Sequence, residues 1–251
     1  MEGRETINCM ADTSISELTL STAAEPRQPH MQPTTAEVAT VLVPLQPIHD
    51  PFFYRVFKRF FDIIVALTAI IVSIPIFFVV AVCVFIEDRG PIFYRQKRIG
   101  RDGVPFDFYK IRSMRLDADK VRDDLLKHSD VEGAAFKMKR DPRVTKVGRV
   151  IRKLSIDECP QFFSVLRGHM SIVGPRPHLP LEVATYSAAD SVRLLVPPGL
   201  VCLREVKGRS NLSFEEWVKL DAQYVEERGI WTDIKIFLSA IPAVLTGRGA
   251  Y

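Results

Sequence analysis

An uncharged run of 24 residues, at positions 63–86, restricts the fold of this 251-residue chain more than any other feature. Its polar residues are Thr68 and Ser73, and Pro75 lies near its middle. At about 1.5 Å per residue, a helix of this length extends about 36 Å, which exceeds a hydrocarbon core of roughly 30 Å. The run is therefore predicted to form a membrane helix.

Basic residues on both sides of the run bear on whether this helix crosses the membrane. They are Arg55, Lys58 and Arg59 before it, and Arg89, Arg95, Lys97, Arg98 and Arg101 after it. A spanning helix would export one of the two groups, although Lys and Arg are preferentially retained in the cytoplasm. A re-entrant helix, which enters and leaves on the same face, exports neither.

Ser73 and Pro75 are the predicted hinge of such a re-entrant helix. Pro75 lacks the N–H that would bond the carbonyl four residues earlier, and the Ser73 hydroxyl can bond the preceding turn and increase a bend. Without its basic flanks, the uncharged run is better explained as a mildly kinked spanning helix than as a re-entrant one, because proline is common in spanning helices. The basic residues on both sides reduce this preference for the spanning helix.

The charge of the chain is unevenly distributed. Residues 1–50 contain seven acids and two basic residues, a balance of −5, so the net charge of +4 leaves +9 for the remainder. Prolines and polar residues in the first 50 positions predict a disordered acidic tail. The basic body is expected to meet anionic lipid or phosphates. The four cysteines show no CxxC spacing, which indicates a reducing compartment.

The residues after the membrane helix predict a mostly α domain with a small β-hairpin. Two runs rich in Ile, Phe, Tyr and Val flank Gly100 and Gly103, which is a hairpin signal. Residues 231–247 form an amphipathic segment that can pack on the core or lie in the membrane interface. Further helices are predicted at residues 116–128, from Pro160 to Gly168, at 181–195 and at 213–228. The predicted regions are the tail at 1–50, a basic-aromatic collar with the membrane helix at 51–90, and a cytoplasmic domain at 91–251.

Asp157 and Glu158 are the first candidates for chemistry. They fit a capping box that begins at Ser155, and acids in a first helical turn complement the helix dipole, so by themselves they are better explained as helix caps than as catalytic residues. Pro160 opposes a helix that begins so early, because its missing N–H would already cost a hydrogen bond there. The helix is therefore expected to begin nearer Pro160, with the acids at its mouth. An acid pair amid Arg and Lys suits a site for Mg²⁺ and a polyphosphate.

Arg176 is the second candidate, since Pro175 and Pro177 restrict the backbone on both sides and would aim its guanidinium at one place. Arginine recognises phosphate in a bidentate way, although a solvated surface arginine is an equal alternative. The basic stretch 137–153 is a solvated face, a lipid-headgroup patch or a nucleic-acid patch. Nucleic acid is the weakest of the three, because aromatic interleaving is missing. His169 and His178 are interpreted as structural or solvent-facing.

The order of these segments resembles the bacterial sugar transferases, the monotopic polyprenol-phosphate phosphoglycosyl transferases. The motifs that carry the resemblance are PIFYRQKRIG, PFDFYKIRSM, DPRVTKVGRVIRKLSIDECPQFFSVLRG and MSIVGPRP, after a collar and a helix with a central proline. The resemblance covers residues 55–251, and the ending LTGRGAY is similar to exopolysaccharide-type members. It tips the membrane helix towards the re-entrant form and implies a catalytic domain on the cytoplasmic face of the bacterial inner membrane.

The resemblance also implies a reaction. A sugar-1-phosphate passes from a nucleotide sugar, usually a UDP-sugar, to a polyprenyl phosphate such as undecaprenyl phosphate, and UMP leaves. Asp157 would be the nucleophile of a covalent intermediate, and Glu158 would assist Mg²⁺ binding or proton handling. The implied substrate-binding residues are Lys110, Arg112, Arg152, Pro175, Arg176 and Pro177. The expected partners are these two substrates and membrane lipids, without nucleic acid, and a homodimer is compatible with this interpretation.

Several positions depart from the usual pattern of the family. Cys159 stands where Leu is common, His169 replaces an acid, and changes at 201–205 replace Thr-Gly and Trp-Gln. A catalytically weakened membrane-surface scaffold with the same fold is therefore an alternative, which the intact acid pair opposes. A bitopic anchor for a phosphate- or nucleic-acid-binding domain is a third hypothesis.

Overall fold

The computed structural model describes residues 48–118, 141–207 and 214–246, and this part of the chain is mostly helical. Nearly all of the predicted tail at 1–50 and of the predicted helix at 116–128 therefore lies outside the described residues. The α-helices are α1 (Phe52–Asp88), α2 (Lys146–Lys153), α3 (Gln161–Leu166), α4 (Pro180–Val183), α5 (Ala188–Ser191), α6 (Leu203–Lys207), α7 (Phe214–Glu227) and α8 (Ile230–Thr246). The strands are β1 (Phe93–Ile99), β2 (Pro105–Ile111), β3 (Ser171–Val173) and β4 (Gly199–Val201).

Helix α1 contains both the aromatic collar and the uncharged run. It begins after Pro51 and ends at Asp88, and the next residue, Arg89, adopts the left-handed conformation with a φ of 50°. Among the described residues, α1 is the one helix long and apolar enough to cross a membrane. Only 17% of its most apolar window is buried within the protein, which argues against the core helix of a soluble domain. Within it, the Ser73 hydroxyl donates to the carbonyl of Ile70 at 3.0 Å, the local bond expected for this serine.

The first half of α1 is fastened to the domain by polar side chains. Arg59 donates to the carbonyls of Val165 and Leu166 at 2.7 and 2.6 Å, and so satisfies the open carboxyl end of α3. Buried Asp62 accepts hydrogen bonds from the Ser171 hydroxyl at 2.9 Å and the Ile172 N–H at 2.8 Å, and so holds β3.

The other end of α1 is fastened to the same domain. Glu87 accepts from the backbone N–H groups of Lys146 at 2.8 Å and Val147 at 3.2 Å, in the first turn of α2. A carboxylate at this position also complements the dipole of α2. Asp88 forms an ion pair with Arg112, at the end of β2.

The predicted hairpin is confirmed. Strands β1 and β2 pair antiparallel from Phe93 opposite Ile111 to Ile99 opposite Pro105. Their connection is a short 3₁₀ turn in which Asp102 and Gly103 have positive φ values of 57° and 75°. Alternation along β2 places Phe106, Phe108 and Lys110 on one face, where the two phenylalanines are buried and Lys110 is partly exposed.

A second sheet was not predicted. Strands β3 and β4 pair in parallel, with Ser171 opposite Gly199 and Val173 opposite Val201. The backbone segments at Gly174 and Gly199 lie very close together. A Cβ atom on Gly199 would lie 2.1 Å from the backbone nitrogen of Gly174. The pairing fixes the start of the loop that carries Arg176.

The helix predicted at 181–195 is wrong, because the structure divides it into α4, α5 and a 3₁₀ turn at Val192–Leu195. Ser187 is the physical reason. Its hydroxyl accepts from the N–H of Asp190 at 3.2 Å, while its own N–H donates to the Asp190 carboxylate at 2.8 Å. This reciprocal capping box starts a new helix instead of continuing the old one.

Helix α8 is amphipathic, as the sequence predicts, but its apolar residues divide between two faces. Ile236 and Ala240 are buried with Asp233, which binds Lys58 of α1 at 2.8 Å. Trp231 is 81% exposed, and Leu238 and Ile241 are also exposed. The placement of this outer face in a membrane interface stays a prediction.

Candidate active site

Asp157 and Glu158 lie in a 3₁₀ turn, Ile156–Glu158, between α2 and α3. Ser155 precedes the turn in the left-handed conformation, with a φ of 55°, and its side chain caps no backbone N–H. Helix α3 begins only at Gln161, after Pro160. The structure therefore excludes the capping-box alternative and confirms that the acids lie at the mouth of the helix. A non-glycine residue in this conformation is strained, a feature that often marks functional sites.

Lys110 of β2 bridges the two acids. Its Nζ atom lies 3.3 Å from Asp157 Oδ2 and 2.7 Å from Glu158 Oε1. The side chain of Asp157 is 9% exposed and that of Glu158 is 24% exposed, so this ion pair is mostly shielded from water. The hairpin thus supplies a cation to a turn 47 residues later in the chain.

Arg176 reaches the same acid pair from another direction. Its Nη2 atom lies 3.5 Å from Glu158 Oε1. The loop that carries it is held on both sides, since the Pro175 carbonyl accepts from Gly199 N–H at 2.8 Å and the Pro177 carbonyl accepts from Arg98 at 3.1 Å. Backbone hydrogen bonds at both flanking prolines therefore hold this loop, and the restriction of Arg176 by the two prolines stays a prediction.

The electrostatic environments of the two acids differ. Burial raises the pKa of Asp157 and the charge of Glu158 raises it further, whereas Lys110 and Arg152 lower it. Burial also opposes ionisation of Glu158, but Lys110 and Arg176 prevail and lower its pKa to about 2. Glu158 is thus held as a carboxylate, and the ionisation of Asp157 depends on the cations around it.

The remaining predicted site residues divide into two groups. Arg152 of α2 acts on Asp157 through its charge. Arg112 is buried and its ion pair is with Asp88, at the junction between α1 and β2, rather than with the acid pair. A Cβ atom on Gly90 would overlap the Arg112 guanidinium, so Arg112 packs tightly at this junction.

The acid pair supplies two of the ligands that a metal ion needs, and a substrate would have to complete the set. Among the described residues, no group of three or more His, Cys, Asp and Glu side chains could hold a metal ion. Mg²⁺ is usually held by one or two carboxylates together with waters and substrate phosphates. The adjacent carboxylates of Asp157 and Glu158 fit that mode of binding.

Sequence reasoning missed Arg98 and the residues around it. Arg98 lies on β1, with its guanidinium over the ring of Phe108 and beside the loop of Arg176. Alternation along the predicted hairpin was the signal that could have placed it on the same face as Lys110. His178, interpreted as structural or solvent-facing, is buried against Tyr186, and burial lowers its pKa well below the usual value. His169 is exposed.

Known proteins are similar to most of the chain. The model of the family described as "Bacterial sugar transferase" matches residues 53–247. "Galactosyl transferase CpsE" of Streptococcus agalactiae is 46% identical over 196 residues, which are 77% of this chain and 43% of that protein. "Exopolysaccharide production protein ExoY" of Sinorhizobium fredii is 39% identical over 77% of this chain and 88% of its own length.

Another relative, "UDP-glucose:undecaprenyl-phosphate glucose-1-phosphate transferase" of Caulobacter vibrioides, is 35% identical over 77% of this chain and 72% of its own length. The chain thus spans less than half of CpsE but most of ExoY. The match to the family includes nearly all of α1, the hairpin, the acid pair and the loop of Arg176. The chain belongs to the bacterial sugar transferase family.

Proposed function

We propose that this protein transfers a sugar-1-phosphate from a UDP-hexose to undecaprenyl phosphate and releases UMP, as the first step of exopolysaccharide or other glycan assembly. The observation that carries the proposal is the contact of Lys110 and Arg176 with an acid pair of which Asp157 is buried and Glu158 partly buried. Two cations around a carboxylate suit a site that must receive two phosphate-bearing substrates in turn. The names of the relatives supply the chemical class of those substrates.

In the proposed mechanism Asp157 is the nucleophile. Its carboxylate attacks the sugar-linked phosphorus, a P–O bond to Asp157 forms, and the bond to UMP breaks with its electron pair leaving on UMP. An oxygen of the lipid phosphate then attacks the same phosphorus and displaces the Asp157 carboxylate, which restores the enzyme. A carboxylate needs no general base when it is ionised, so the electrostatic contribution of Lys110 and Arg152 to Asp157 has a direct chemical purpose.

Arg176 and Lys110 would offset phosphate charge during both steps. Arg176 is the more accessible cation on Glu158, with 32% of its side chain exposed, and it can turn from the carboxylate to an arriving phosphate. Mg²⁺, held by Asp157 and Glu158 with the substrate, would supply further charge stabilisation for the phosphate oxygens.

We also propose that α1 is re-entrant, with its hinge at Ser73 and Pro75. Support comes from its polar contacts, because Lys58 and Arg59 before the uncharged run bind the same domain as Glu87 and Asp88 after it. A straight helix through the uncharged run would separate these ends by about 36 Å of membrane. In addition, Ser73 is close enough to the Cys159 thiol to oppose the rise of its pKa that burial causes, so the middle of α1 lies near the acid pair.

A donor panel tests the reaction. Purified protein is incubated with different UDP-sugars, undecaprenyl phosphate and Mg²⁺, and UMP is measured. Asp157→Asn is expected to abolish both UMP release and trapping of a phosphosugar adduct, whereas Asp107→Asn, an exposed aspartate on the hairpin, retains both. Absence of UMP from every donor would instead support the weakened scaffold, and normal turnover by Asp157→Asn would reject the nucleophile.

Residue 9 tests the topology. A variant that retains Cys9 alone, with the other three cysteines replaced by serine, is treated in intact cells with a membrane-impermeant maleimide. The re-entrant arrangement, with the domain on the cytoplasmic face of the inner membrane, predicts labelling only after the cells are opened. Labelling from outside would show that α1 crosses the membrane. A variant without any cysteine measures the background.

A further inference from the structure

Arg98 is a buried cation that the proposed mechanism does not use. Its side chain is 16% exposed, on the face of the hairpin that carries Lys110. Burial, and then repulsion from Arg176, lower the pKa of Arg98 to about 10, so it remains charged at neutral pH. Burying a charge is costly unless its contacts compensate, so each contact of Arg98 bears on its role.

The contacts of Arg98 lead to the loop that carries Arg176. Nη1 donates to the Pro177 carbonyl at 3.1 Å, and the next residue of β1, Ile99, donates its N–H to the His178 carbonyl at 3.0 Å. The end of β1 therefore holds the two positions directly after Arg176. On the other side of the guanidinium, Nη2 donates to the Gln96 side chain at 3.2 Å, which fixes its plane.

One aromatic ring orders the two cations of the hairpin. The Arg98 guanidinium carbon lies 5.4 Å from the centroid of Phe108, and Lys110 Nζ lies 5.8 Å from the same centroid. Cations over a ring gain a modest attraction and are restricted in direction. Arg98, Phe108 and Lys110 thus form one ordered group. Glu182, whose Oε2 lies 3.8 Å from Arg98 Nη1, and more weakly Glu158 attract Arg98.

Repulsion between like charges restricts where the Arg176 guanidinium can lie. Arg176 is attracted to Glu158 at 3.5 Å and is repelled by Arg98, whose position is fixed by the Pro177 carbonyl. Arg98 thereby limits the positions that the Arg176 guanidinium can adopt to those on the side of the acid pair. A phosphate that arrives there would meet an arginine already in place, which reduces the entropic cost of binding.

We propose that Arg98 is a positioning residue, which anchors the Pro177 carbonyl and directs Arg176 towards the diphosphate of the nucleotide sugar at the acid pair. This inference rests on the proposed function. It assigns to β1 a part in donor recognition, although Arg98 itself contacts the loop and not the reacting atoms. If Arg98 acts through Arg176, its removal matters only while Arg176 is present.

A double-mutant cycle separates this role from simple stabilisation of the fold. UMP release at varied UDP-sugar concentration gives kcat/KM for the wild type, Arg98→Met, Arg176→Met and the double variant. Arg98→Met is expected to lower kcat/KM roughly ten- to a hundredfold in the wild type, but less than about threefold when Arg176 is already Met. Arg95→Met is the control, since Arg95 is an exposed arginine of the same strand that pairs with Asp107. It should leave kcat/KM unchanged both in the wild type and in Arg176→Met.

Equal losses from Arg98→Met in the two backgrounds would overturn the inference, because the effect would not pass through Arg176. Arg98→Lys provides the same cycle if Arg98→Met does not fold. Lysine retains the charge but cannot hold Pro177 and Gln96 together, so a smaller loss with the same dependence on Arg176 is expected. Wild-type protein that releases no UMP from any donor would reject the proposed function itself, which this design distinguishes from additivity in an active enzyme.

Discussion

Replacement of Lys110 by methionine tests the electrostatics of the site most directly. Lys110 Nζ is 3.3 Å from Asp157 and 2.7 Å from Glu158, and 24% of its side chain is exposed. Methionine retains the length and packing of the side chain but removes its charge. Two neighbouring carboxylates would then face each other in a largely buried turn, and Arg152 and Arg176 would still act on them.

The size of the effect follows from the distance. At 3.3 Å and an effective dielectric constant of about 20, Coulomb's law gives an attraction of roughly 5 kcal/mol between Lys110 and Asp157. Arg152 and Arg176 compensate for part of its loss. We therefore expect transition-state stabilisation to fall by about 2.7 kcal/mol, which is a hundredfold decrease in kcat/KM.

The direction of the pH effect follows from the pKa of Asp157. Lys110 lowers this pKa, while burial and Glu158 raise it. Without Lys110 the pKa moves further upward, so a smaller fraction of Asp157 is ionised at a given pH. The acid limb of the kcat/KM profile should therefore move to higher pH in Lys110→Met, and part of the lost activity should return as the pH rises.

The assay is UMP release from a UDP-sugar and undecaprenyl phosphate, across a range of pH at constant ionic strength. Lys97→Met is the matched control, since Lys97 lies on the same hairpin and pairs with Asp107 at 2.8 Å. Lys110→Arg retains the charge and should keep the acid limb near its original pH. The reasoning is refuted if Lys110→Met loses activity by a constant factor at every pH.

Three further changes give distinct expected results. Glu158→Gln should move the acid limb of the residual activity to lower pH, because the charge of Glu158 raises the pKa of Asp157. Asp221→Ala leaves the buried Arg193 guanidinium without its carboxylate partner, so the free energy of unfolding in detergent should decrease by about 3–5 kcal/mol. Ser155→Gly should raise the free energy of unfolding by about 1 kcal/mol, because glycine adopts a φ of 55° without strain.

Each of these has a contrary outcome. An upward shift of the acid limb in Glu158→Gln would mean that Asp157 is not the group that titrates. Asp117→Ala is the control for Asp221, since Asp117 and its partner Arg115 are both exposed and the loss should stay below about 1 kcal/mol. Equal decreases in the free energy of unfolding in the two variants would show that the buried pair contributes no more than an exposed one. A destabilised Ser155→Gly would indicate that the serine side chain, rather than its backbone, holds the turn.

Elements that depend on local patterns could be predicted from the sequence. The uncharged run predicted a membrane-length helix, and two β-rich runs around Gly100 and Gly103 predicted the hairpin, because hydrophobic period and turn residues act over a few positions. Pro160 predicted that the acids stand before the helix, since its missing N–H has a strictly local effect. The helix predicted at 181–195 was wrong, because a capping serine at 187 outweighed the apolar pattern.

The candidate site was only partly accessible in this way. The residues themselves marked Asp157, Glu158 and Arg176 as candidates with bland alternatives, and the resemblance to the family supplied their roles. The resemblance placed Arg112 among the substrate-binding residues, and in the structure Arg112 is buried and forms an ion pair with Asp88. Arg98 was counted as one of several flanking cations, because a single sequence does not show which side of a strand meets a loop 79 residues later.

The sequence by itself determined which groups are present: an apolar segment of membrane length, a basic body, an acid pair that precedes its helix because of Pro160, and an arginine between two prolines. Only the tertiary structure decided which charges meet. Lys110 reaches Asp157 across 47 residues, and the hairpin holds the loop of Arg176 against the same turn. Such contacts depend on the packing of β2 against the acid turn and on the parallel pairing of β3 with β4. These are free-energy gains of the whole fold, and no local pattern records them.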